Sequence, residues 1–66
     1  MEKLVKKPIT LYENDNITID TYAVESGAKV RISLFENGHW NGEQVFDYYD
    51  FMLMVDKIKE YHEGDM

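Results

Sequence analysis

Residues 29–46, KVRISLFENGHWNGEQVF, decide the fold. Val30, Ile32 and Leu34 alternate with Lys29, Arg31, Ser33 and Phe35, which is the period-two pattern of a strand with one buried face. Asn37-Gly38 follows at once. Asn-Gly is the strongest short hairpin signal, because both central residues of a type I′ turn need positive φ. A two-residue turn there sets Phe35 opposite Trp40 as a cross-strand aromatic pair, and Glu43–Val45 then extends a short fourth strand. The second such pair, Asn41-Gly42, is read as either another turn or a bulge.

The same alternation runs upstream. Residues 8–13 place Ile9 and Leu11 on one side, with Thr10 and Tyr12 opposite. Residues 17–24 place Ile17, Ile19, Thr21 and Ala23 on one side and Thr18, Asp20, Tyr22 and Val24 on the other. Glu13-Asn14-Asp15-Asn16 separates the two segments as a turn, since Asn and Asp tolerate left-handed backbone geometry and bond their own main chain. Glu25-Ser26-Gly27 makes the next break. Short connections of this kind give an antiparallel meander as the default topology.

Downstream, the period changes to that of a helix beginning at Asp47. Asp47 is a favoured N-cap, Asp50 three residues on completes a weaker capping box, and Phe46 with Phe51 stands at hydrophobic-staple spacing. At about 100° per residue, Phe51, Met54, Val55 and Ile58 form one stripe flanked by Tyr48, Tyr61 and His62, and this stripe is expected to cover the sheet. Gly64 ends the helix. The expected fold is α+β: a three- to four-stranded antiparallel β-meander followed by one C-terminal α-helix packed on one sheet face. Residues 1–66 make a single small domain, with 1–7 and 63–66 as flexible ends.

Composition bounds what such a domain does. Hydrophobic residues are 44% of the 66 and aromatics 14%, well above the range of disordered chains, so an ordered core is expected. The absence of Cys excludes disulfides, thiolate metal sites and thiol nucleophiles, and fits a reducing compartment. Neither a signal-peptide apolar run nor about 18 consecutive apolar residues occurs, so a cytoplasmic protein without membrane contact is expected. The net charge of −6 is uneven. Lys3, Lys6 and Lys7 oppose only Glu2 at the start, whereas residues 43–66 hold seven carboxylates against Lys57 and Lys59. This balance disfavours phosphate-backbone binding and suits a partner with a basic protein surface.

No stretch carries a chemical signature. Ser26 and Ser33 lack a nucleophile elbow, no glycine-rich phosphate loop exists, and the turn at 13–16 lacks the length and terminal Glu of a calcium loop. His39 and His62, the only imidazoles, stand at no metal-ligand spacing. A non-enzyme without cofactor or metal is therefore expected, and the candidate sites are surfaces. The first is on the helix, where Tyr49 and Leu53, with Met52 at their edge and Asp56 and Glu60 continuing the row, lie away from the sheet-facing stripe. The second is the reverse sheet face with Tyr12, Tyr22, Arg31 and Phe35, which could stack single-stranded bases or pair with itself. Carboxylates Glu43, Asp47, Asp50, Asp56, Glu60 and Glu63 could mimic the phosphates of a nucleic acid.

In size, acidity and lack of chemistry the chain is similar in general character to small phage and mobile-element proteins that bind and block a larger host machine. The leading expectation is an acidic, non-catalytic protein-binding module that inhibits a nucleic-acid-handling or defence protein. A homodimeric accessory protein using the apolar helix patch or the aromatic sheet face is the alternative, and a single-stranded nucleic-acid binder the third.

Overall fold

The computed structural model describes residues 2–64. Four strands, β1 (Leu4–Glu13), β2 (Ile17–Val24), β3 (Gly27–Glu36) and β4 (His39–Asp47), form one antiparallel sheet in the order β1-β2-β3-β4, and α1 (Tyr48–Glu63) follows directly. The fold is α+β, a full four-stranded meander with the single helix packed on one face.

Register explains why the alternation was decisive. Ile17, Ile19 and Thr21 of β2 pair with Leu34, Ile32 and Val30 of β3, and Val30 pairs on its other side with Phe46 of β4. Directly paired residues share a face. The apolar rows of β2 and β3 therefore coincide on the side that receives the helix, and β4 adds Phe46 to it.

The turns match their chemistry. Asn37 at φ 52° and Gly38 at φ 81° give the left-handed pair of the β3–β4 hairpin, and Phe35 stands opposite Trp40. Gly42, at φ 126°, sits where the register slips between Leu34 and Phe35, so the second Asn-Gly is a bulge. Between β1 and β2, the Asn14 side-chain oxygen accepts the backbone N–H groups of Asn16 and Ile17 at 2.8 and 2.9 Å. The Glu2 carboxylate accepts the N–H and hydroxyl of Ser26, tying the chain start to the β2–β3 turn.

Two expectations about the ends change. Residues 4–7, anticipated as a loose lead-in, belong to β1, with Leu4 opposite Val24 and Lys6 opposite Ala23. Backbone pairing does not require apolar side chains, and lysines suit an edge strand. Glu63 is the last residue of α1, whereas residues 65–66 lie outside the described residues. Asp47 has the extended backbone of an N-cap but makes no side-chain cap bond, so the capping box with Asp50 does not form. Its carboxylate instead accepts the Lys29 ammonium from the neighbouring strand.

Packing is sparse. Val30, 4% exposed, is the one buried apolar residue among those described, and the small Ser33 is the one buried polar residue. The helix approaches β3 and β4 and neither β1 nor β2. It leans on the sheet through Phe51 and Val55, both half-buried, with Phe51 set 6.0 Å from Phe46 as the staple spacing anticipated.

Candidate functional site

The helix presents two apolar surfaces where the sequence anticipated one. The anticipated surface is intact: Tyr49 is 73% exposed and Leu53 49%, Met52 lies at their edge, and Asp56 and Glu60 are exposed along the same row. The 3.6-residue repeat turns this row away from Phe51 and Val55. Neither Asp56 nor Glu60 pairs with a cation among the described residues, so both carboxylates are free to meet one from outside.

The second surface is the stripe expected to be core. Only Phe51 and Val55 of that stripe are half-buried; Met54 is 40% exposed, Ile58 60%, and Tyr48 and Tyr61 are also exposed. The helix is half-buried only at Phe51 and Val55 and approaches only β3 and β4. Resting on β3 and β4 alone, its second half has no sheet beneath it.

The reverse sheet face divides the second predicted group. Arg31 lies over Tyr22, its guanidinium carbon 5.6 Å from the ring centre, in a cation–π arrangement. Its Nη2 and Nε donate to one oxygen of Asp20, its paired neighbour, at 2.8 and 3.3 Å, and the other oxygen of Asp20 accepts the Thr10 hydroxyl at 3.0 Å. Tyr12 does not join them. A register shift between Thr10 and Tyr12 pairs Tyr12 with Ile19 and so moves it to the row of the helix-facing side. Phe35 stands at the far end of β3, opposite Trp40. The four residues expected as one stacking platform are thus not brought together, and the two cations between them, Arg31 and Lys29, are each held by a carboxylate.

The hydrogen bond from Arg31, reinforced by that from Thr10, holds the Asp20 carboxyl below the ordinary carboxylate range, and Asp20 in turn raises Arg31. A carboxyl depressed in the folded state stabilises the fold above its unfolded-state pKa, and that contribution disappears as pH falls through the folded value. Stability should therefore decline below about pH 4. Urea midpoints measured across this range should show a shallower acid slope in Arg31→Gln; an identical slope would mean that Asp20 takes no part.

Among the described residues, no group of three or more His, Asp or Glu side chains is placed to hold a metal ion, and no helix is long and apolar enough to cross a membrane. His39 lies at the β3–β4 turn and His62 in the last helical turn, edge-on to Tyr61 at 4.9 Å. What the architecture defines is a small α+β meander with an apolar, partly acidic helix surface. Comparison with protein-family models, with curated proteins and with solved structures finds no match.

Proposed function

We propose that this chain is a non-catalytic, acidic protein-binding module whose outward helix row docks on a basic surface of a nucleic-acid-handling or defence protein and blocks it, in the manner of phage and mobile-element inhibitors. The observation that carries this reading is the pairing of exposed Tyr49 and Leu53 with Asp56 and Glu60, whose carboxylates have no cation of their own. Apolar anchors supply desolvation and the carboxylates supply steering, the combination that gives both strength and orientation to an interface. The net charge of −6 extends the attraction toward a basic partner.

The test is affinity capture from the lysate of the cell that produces the protein, with wild type, Leu53→Asp and the double variant Asp56→Lys, Glu60→Lys. The wild type should retain a protein that elutes progressively as salt rises. Leu53→Asp should weaken retention at least about tenfold, since burying a Leu side chain is worth about 1.5–3 kcal/mol. Equal capture by all three proteins, or capture indifferent to salt, would refute the docking row. A retained nucleic acid in place of a protein would do the same.

A further inference from the structure

We infer that the helix stripe Met54, Ile58 and Tyr61, together with the uncovered β1–β2 half of the sheet, is the interface of a homodimer in which a second copy of this chain completes the core. The surface area identifies the occupant. The chain exposes 5642 Å², whereas a compact monomer of 7.8 kDa exposes about 4,400 Å². Its radius of gyration is 13.9 Å, against about 11 Å for a compact chain of this length. The excess of about 1,200 Å² per chain, or about 2,400 Å² for a pair, falls within the range of obligate homodimers, which bury about 2,000–5,000 Å².

Both halves of such an interface are present in one chain. The helix-facing side of β1 and β2 carries Ile9, 59% exposed, with Thr21 and Ala23, and of the helix only the Tyr48 side chain at its first position borders it. There a depression of about 350 Å³ is lined by Ile9, Thr21, Tyr22, Ala23, Ala28 and Tyr48, together with Lys6 and Lys7. The stripe Met54, Ile58 and Tyr61 matches this depression in apolar character. Glu63 and the negative end of the helix dipole match its lysines. A two-fold axis makes the exchange reciprocal, so that each helix covers the half-sheet that the other chain leaves bare and no open-ended site remains.

This interface uses the opposite helix side from Tyr49, Leu53, Asp56 and Glu60, so it stands or falls separately from the docking reading. Sedimentation equilibrium of the wild type should give twice the chain mass, with Leu53→Asp also dimeric and Ile58→Asp shifted to monomer. A folded wild-type monomer at tens of micromolar would overturn the inference and leave the stripe to a foreign partner. So would a higher or open-ended assembly, or a folded Ile58→Asp that remains dimeric. If Ile58→Asp does not fold, the wild type decides the matter through its melting temperature, which should rise with protein concentration; a concentration-independent melt would overturn the dimer.

Discussion

Val30→Asp is expected to leave the chain unfolded at room temperature. Val30 is the single buried apolar residue among those described, held between Thr21 on β2 and Phe46 on β4 in the strand the helix leans on. A carboxylate there has no cation directly opposite it, because its partners are Thr21 and Phe46, and the neighbouring Lys29 and Arg31 occupy the reverse face and are bound to Asp47 and Asp20. An uncompensated buried charge costs roughly 3–5 kcal/mol. Total stability for a chain of 66 residues is only roughly 3–10 kcal/mol. Far-UV circular dichroism should show loss of both strand and helix; a native-like spectrum would mean that the centre of the sheet is not where the core lies. Leu53→Asp is the control, since a half-exposed outward position should change stability by no more than about 0.5 kcal/mol.

Phe51→Ala should detach the helix. Phe51 supplies the aromatic contact to Phe46 and, with Val55, the apolar footing of α1 on β3 and β4. Truncating a fully buried Phe costs about 3–5 kcal/mol, and this half-buried one should cost about 2–3 kcal/mol. An isolated helix of 16 residues is marginal in water, so without its footing it should fray rather than persist. Chemical denaturation and the helical circular-dichroism signal report the two consequences separately. A loss below about 1 kcal/mol with an unchanged helical signal would show that α1 is held by something other than this contact.

The meander was legible because its signals are local. Alternation in residues 17–24 and 29–35, the Asn37-Gly38 turn and the Phe46–Phe51 spacing each depend on a few neighbouring residues; the pairing register, the turn and the aromatic contact are realised as read, whereas Leu34 of the apolar row is exposed and Ser33 of the reverse row is buried. What the local pattern missed depends on relations between elements. The bulge that carries Tyr12 to Ile19's row is a matter of how two strands of unequal spacing align, and nothing in residues 8–13 alone records it. Its place before a helix marks Asp47 as a cap, yet Lys29, paired opposite it across the sheet, claims its carboxylate. The largest difference concerns Met54 and Ile58. Helical periodicity correctly grouped them with Phe51 and Val55, but periodicity states which side chains share a face and not how much sheet lies under that face. The outward row of Tyr49, Leu53, Asp56 and Glu60, which needs only the periodicity, appears as anticipated.

The edges of the sheet decide what a chain with so much uncovered apolar surface does when concentrated. Long regular edge strands offer rows of unpaired N–H and C=O groups on which further chains stack into fibrils. Here β1 departs from regular register at three points, carries Pro8, which has no N–H to offer, and bears Lys6 and Lys7 near its start, with Lys3 just before it. On the other margin, the Gly42 bulge twists β4 out of line. Neither margin can template a straight, growing ladder, so apolar contact between copies is confined to the faces. Concentrated solutions should accordingly stay free of amyloid.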